Sequence, residues 1–88
     1  MDIAVIGLGK LGLPSACCFA AAKHTRNEVM GIDLNREFVA ALNAGRNPIQ
    51  EPGLDELLEE ARPRIRFSTD FDDIPKHTQV YLIIVPTP

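Results

Sequence analysis

The sequence predicts an α/β fold built on a parallel sheet, and three observations lead to it. The apolar run Ile3-Ala4-Val5-Ile6 enters directly into Gly7-Leu8-Gly9-Lys10-Leu11-Gly12. A stretch rich in small residues follows, with Ala16, Cys17, Cys18, Ala20, Ala21 and Ala22, as suits a helix packed closely on a sheet. A second strand-like run, Glu28-Val29-Met30-Gly31-Ile32, then ends on Asp33, about twenty residues past the glycines. Together they form one βαβ unit of about thirty residues, the opening of a Rossmann-type doubly wound parallel sheet.

Each glycine has a separate physical task in that pattern. Gly7 lies where the chain must turn sharply out of a strand, which a side chain would oppose. Gly9 lets the backbone approach a pyrophosphate, and Gly12 lets the next helix pack against the strand. The helix start offers unpaired N–H groups and a positive dipole end to phosphates, with Lys10 and Leu11 in the same turn. Pro14 marks that start independently, because proline is tolerated in an opening turn, where its missing N–H breaks no helical bond.

Asp33 identifies the ligand more closely. A carboxylate at the end of the second strand accepts hydrogen bonds from a ribose 2′-OH and repels a 2′-phosphate, so the expected cofactor is NAD rather than NADP. Two other roles fit the same residues. Asp33 can cap the turn before a helix that begins near Asn35, and the guanidinium of Arg36 can meet a 2′-phosphate or stack on adenine.

The remaining elements follow in order. Asn35 can cap a helix running to about residue 44, with Phe38, Ala41 and Leu42 at helical spacing toward the sheet and Gly45 as its stop. After the loop Gly45-Arg46-Asn47-Pro48, a helix is predicted over residues 54–61. Asp55 and Glu56 suit its N-terminus, Leu54, Leu57, Leu58 and Ala61 form its apolar stripe, and Pro63 ends it. Residues 64–68 alternate polar and apolar as a short strand, residues 71–74 read as a brief helical turn, and residues 80–85 read as a buried strand. The predicted architecture is an incomplete doubly wound sheet of about four strands with helices on both faces. The third strand lies beside the second and the last on the other side of the first. That reversal makes a crevice at the carboxyl ends of the strands, gathering residues 7–12, Asp33 and Pro86-Thr87-Pro88. Thr87 can offer its hydroxyl to ribose or phosphate, or act as a turn residue between two prolines.

Eighty-eight residues suffice for one domain but not for a six-stranded dinucleotide fold with a substrate domain. Residues 1–88 are therefore read as the N-terminal part of a NAD-binding domain, with the remaining domains outside the chain. A net charge of −3 without a basic stripe argues against nucleic acid or an anionic membrane as the main partner. The longest apolar run falls short of a membrane span and no secretory leader is visible, so a cytoplasmic protein is expected. Cys17 and Cys18 are read as small packing residues, since vicinal helical cysteines are badly placed for a disulfide. His24 and His77 are isolated surface residues, no metal site is expected, and no catalytic residue is assigned. A sheet ending at residues 80–85 exposes an unpaired edge, which predicts self-association or a homodimer.

Several segments together resemble the N-terminal domain of the UDP-glucose/GDP-mannose dehydrogenase family. They are Ile6-Gly7-Leu8-Gly9-Lys10-Leu11-Gly12-Leu13-Pro14, Gly31-Ile32-Asp33-Leu34-Asn35, the loop Gly45-Arg46-Asn47-Pro48-Ile49-Gln50-Glu51-Pro52-Gly53-Leu54, and Val85-Pro86-Thr87-Pro88. The third is the most diagnostic, while Lys10 departs from the aromatic residue often found at its place. The resemblance implies a full-length enzyme that oxidises the C6 alcohol of a nucleotide sugar, of the UDP-glucose or UDP-N-acetyl-mannosamine type, to a carboxylate. It implies two hydride transfers to NAD, with a thiohemiacetal and a thioester on a cysteine far downstream, so the chain by itself is expected to be inactive. It also implies that Gly7, Gly9, Lys10, Leu11 and Gly12 lie at the pyrophosphate, Asp33 at the adenosine ribose, and Pro86 and Thr87 beside the cofactor. Glu51 and Pro52 match the family and can simply shape their loop. Two other readings need only the fingerprint: a non-catalytic NAD-responsive regulatory module, or the N-terminal half of another NAD-dependent dehydrogenase. The Glu51-Pro52-Gly53-Leu54 loop argues against the latter.

Overall fold

In chain order the elements are β1 (Asp2–Ile6), α1 (Gly12–Ala21), β2 (Glu28–Ile32), α2 (Arg36–Asn43), α3 (Leu54–Ala61), β3 (Ile65–Ser68) and β4 (Val80–Ile83). These come from a computed structural model that describes residues 1–85. The strands form one parallel sheet in the order β3-β2-β1-β4, as the fingerprint predicts. Single 3₁₀ turns, Arg62–Arg64 and Phe71–Asp73, precede β3 and β4.

The register explains which residues meet. Val5 lies beside Gly31 on one side and Leu82 on the other, and Gly31 lies beside Phe67. On that face Ile3, Val5, Val29, Ile65 and Phe67 join one buried cluster with Leu13, Ala16 and Cys17 of α1, Leu42 of α2 and Leu58 of α3. All three α-helices feed this cluster. The reason is topological: β1, β2 and β3 step in one direction, and right-handed crossovers then fall on one face. Only the reversal from β3 to β4 passes the other face, where the helical content is the Phe71–Asp73 turn, tied down by the Ser68 hydroxyl donating to the Asp73 carboxylate.

Local chemistry sets the helix ends. Asn35 Oδ1 accepts from the Phe38 N–H at 3.1 Å, capping α2 as predicted. At its far end Gly45 adopts φ +86°, with Arg46 N–H donating to the Ala41 carbonyl (2.8 Å) and Gly45 N–H to that of Leu42 (3.1 Å). That is a Schellman closure, which satisfies carbonyls the helix leaves unpaired. Between α2 and α3, Asn47 accepts from the Ile49 N–H at 2.9 Å and donates to Asp55 at 2.8 Å, so one side chain shapes the loop.

Two expectations need correction. The apolar run 80–85 reads as a buried strand, yet β4 covers only Val80–Ile83 and leaves Val80, Tyr81 and Ile83 40%, 53% and 65% exposed. Among the described residues no strand pairs with its outer side, and only Leu82 and Ile84 of the run pack against the core. Its inner side is firmly paired: Asp2 N–H donates to Gln79 Oε1 (3.0 Å) and Gln79 N–H to the Asp2 carbonyl (2.9 Å) where β4 begins. The second correction concerns Cys18, which is exposed while Cys17 is buried, because neighbours on a helix point about 100° apart. Burial, with Cys18 nearby adding and Arg62 opposing, raises the Cys17 pKa to about 11, so it stays an unreactive thiol at neutral pH.

Candidate cofactor site

The site starts where β1 ends. Ile6 accepts from the Ile84 N–H at 2.8 Å, while Gly7 N–H donates to the Ile32 carbonyl at 2.8 Å, so the turn is fastened to both neighbouring strands. Gly7 has φ +95°, and a Cβ there would come within 2.1 Å of the Ile84 carbonyl oxygen. A Cβ on Gly12 would come within 1.9 Å of the Gly7 carbonyl oxygen. These two glycines therefore allow the first turn of α1 to stack on the turn out of β1. Gly9 differs from both. At φ +149° it has nothing within 4 Å of where a Cβ would stand, so its backbone faces open space.

Part of the loop's backbone is bonded within the turn itself. Leu13 N–H donates to the Gly9 carbonyl and Ser15 N–H to that of Leu11, at 3.1 and 3.2 Å. The N–H groups of Gly9, Lys10, Leu11 and Gly12 have no protein acceptor among the described residues. The N-cap position of α1 holds Leu11, whose side chain cannot accept a hydrogen bond, and the first turn carries no acidic residue. An anion is what such a helix start stabilises, through both its N–H groups and its dipole. Lys10 and Leu11 are exposed at its mouth, Leu11 by 67%.

Asp33 follows β2 and faces the same turn. Its Oδ2 accepts from the Leu8 N–H at 2.8 Å, and its Oδ1 from the Asn35 N–H at 2.9 Å. These two backbone contacts leave about two of the carboxylate's roughly four lone-pair sites free. Arg36 is exposed at the first position of α2, and the intervening Leu34 is 76% exposed. The bond from Leu8 was not legible in the sequence. The Asn35 contact was, since Asp commonly bonds the backbone two residues on. Pro86 and Thr87 lie outside the described residues.

Glycine clearance, backbone donors and a half-buried carboxylate at the neighbouring strand end are the features that a dinucleotide site requires. Among the described residues no group of three His, Cys, Asp or Glu could hold a metal, and no helix is long and apolar enough to cross a membrane.

Known proteins share this fold. The family model described as "UDP-glucose/GDP-mannose dehydrogenase family, NAD binding domain" matches residues 1–88. A UDP-glucose 6-dehydrogenase of Haloferax volcanii is 42% identical over 89 residues, covering 100% of this chain and 20% of the relative. The crystal structure of a GDP-mannose dehydrogenase ternary complex from Pseudomonas aeruginosa has a TM-score of 0.86 at 38% identity, covering 100% of this chain and 20% of that one. A UDP-D-ManNAc dehydrogenase from Pyrococcus horikoshii has a TM-score of 0.86 at 35% identity, covering 100% and 21%. The chain thus spans about one fifth of the length of the relatives it matches. By sequence and by fold, it belongs to the UDP-glucose/GDP-mannose dehydrogenase family, as the NAD-binding domain.

Proposed function

We propose that residues 1–88 are the N-terminal, cofactor-holding part of an NAD-dependent nucleotide-sugar 6-dehydrogenase of the UDP-sugar type. The observation that carries this reading is the open backbone at Gly9, together with the N–H groups of residues 9–12, which have no protein acceptor among the described residues. The UDP preference is supported by the relative at 42% identity, which is named a UDP-glucose 6-dehydrogenase.

In this reading the N–H groups of residues 9–12 and the Lys10 ammonium hold the pyrophosphate. Asp33 accepts from the adenosine ribose, Arg36 flanks the adenosine, and Pro86 and Thr87 lie beside the cofactor. Gly7 and Gly12 fix the turn that aims α1 at the phosphates. Bound NAD⁺ supplies a hydride acceptor, one for each of the two oxidations that take an alcohol to a carboxylate. These residues bind and orient. None of the described thiols is set up as a nucleophile, since Cys17 is buried and Cys18 lies on the exposed side of α1. The chain alone binds cofactor without oxidising sugar.

An NMR titration tests this. With NAD⁺, the amides of residues 9–12 and of Asp33 shift saturably, and NADP⁺ binds roughly tenfold more weakly, as one lost charged contact implies. A well-dispersed spectrum that answers to neither dinucleotide refutes the assignment.

A second part of the proposal concerns partners. The unpaired edge and exposed apolar side chains of β4 support pairing between copies of this chain. Sedimentation then shows mass rising with concentration, and a clean monomer at high concentration defeats it.

A further inference from the structure

Leu8 is the first residue beyond the Gly7 turn, and two contacts from β2 and its end pin it. Its side chain fills the room left by Gly31, where a Cβ would come 3.2 Å from one Leu8 methyl and 3.0 Å from the Phe67 ring. Its N–H donates to Asp33 Oδ2 at 2.8 Å. The other oxygen of the same carboxylate accepts from the Asn35 N–H at 2.9 Å, and Asn35 caps α2 through Phe38. The hydrogen bonds therefore run without a break from the glycine loop, through Asp33, to the start of α2.

We infer that Asp33 is a positioning residue for the phosphate loop as well as a ribose contact, so that one carboxylate sets both cofactor choice and loop shape. The inference rests on the proposed NAD site. Its consequence runs against simple charge reasoning. Removing the carboxylate removes the repulsion of a 2′-phosphate and leaves the exposed Arg36 to meet it, which by charge alone favours NADP⁺. If the carboxylate also holds Leu8, the same change loosens the loop that must receive the pyrophosphate, and both dinucleotides lose affinity.

Asp33→Ser separates the two roles. A serine hydroxyl still accepts from the N–H two residues on, but is too short to reach Leu8. Amide exchange is measured in the free chain, and affinities are measured for NAD⁺, NADP⁺ and an NAD⁺ analogue whose adenosine lacks both the 2′-OH and the 3′-OH. The expected result is Leu8 exchange faster by roughly tenfold or more, with the Leu42 and Leu58 amides still protected. Affinity for the 2′,3′-dideoxy analogue also falls by roughly tenfold, although that ligand cannot use the ribose contact, and NADP⁺ does not reach the wild-type affinity for NAD⁺.

Unchanged Leu8 exchange, or an analogue that binds variant and wild type equally, overturns the inference and leaves Asp33 a ribose contact only. If the wild type binds no dinucleotide, the NAD reading fails, and Leu8 exchange still decides whether Asp33 holds the loop. Should Asp33→Ser not fold, Asp33→Asn serves. Its single carbonyl oxygen can satisfy only one of the two N–H groups, so either Leu8 or Asn35 loses protection, and protection retained at both is the contrary result.

Discussion

Gly7→Ala loses a large share of the stability of this chain, whereas Gly9→Ala folds and binds NAD⁺ more weakly. The two residues lie in one turn, but their surroundings are opposite. At Gly7 the new methyl would come within 2.1 Å of the Ile84 carbonyl oxygen, a backbone atom that cannot rotate away. Relief requires moving Ile84, whose N–H holds the Ile6 carbonyl at 2.8 Å, so the β1–β4 pairing is lost with it. A positive φ adds about 1–2 kcal/mol for a residue with a Cβ. A total on the order of 3–5 kcal/mol follows from strain combined with a broken pairing. A domain of this size has about 4–13 kcal/mol in all, at the usual stability per residue. Urea unfolding followed by circular dichroism checks this, and a loss under about 1 kcal/mol contradicts it. At Gly9 the methyl meets no atom within 4 Å, so only the backbone strain remains. The methyl instead occupies the space assigned to the pyrophosphate, and NAD⁺ affinity falls by at least about tenfold. A Gly9→Ala variant that binds as well as the wild type removes Gly9 from the phosphate site.

Leu13→Ala has the next largest effect, and it acts through packing. Leu13 is fully buried at the first turn of α1, within the cluster that joins the sheet to all three α-helices. Truncating such a leucine costs about 2–5 kcal/mol, from lost burial and from the cavity left behind. The damage falls beside the site as well, because the Leu13 N–H bonds the Gly9 carbonyl. Phe19→Ala on the partly exposed side of the same helix provides the control, with a cost near 1 kcal/mol or below, as for surface positions. Equal midpoints for the two variants in urea would show that α1 is not anchored through its inner face.

The parts of this fold legible in the sequence are those decided by neighbours along the chain. Asn35, Gly45 and Pro63 act within one helical turn of where they stand, and the limits of α2 and the end of α3 could be read from them. Strand order followed from the glycine fingerprint, because the βαβ crossover leaves few arrangements. The misreadings concern what lies across space. An apolar run such as 80–85 announces a strand, but its burial depends on what stands beside the edge and over each face. Cys17 and Cys18 look equivalent in composition, and only the orientation of α1 separates them. The Leu8–Asp33 bond joins residues 25 apart, through a turn whose shape no local pattern specifies.

The place of β4 in the sheet also sets a timetable. β1 is an inner strand made before β4, yet this second partner pairs with it through Asp2 and Gln79, 77 residues apart. At about 5–20 residues per second, a ribosome takes roughly 4–15 s to supply that partner. During this interval β1 can pair only with β2, and the carbonyl of Ile6 waits for the N–H of Ile84. Contacts between such distant residues also form late in refolding, since closing the long loop costs entropy before any contact rewards it. The glycine turn is thus written within the first dozen residues and completed only when β4 arrives, so a chain interrupted before residue 84 has its glycine motif without the backing that shapes it.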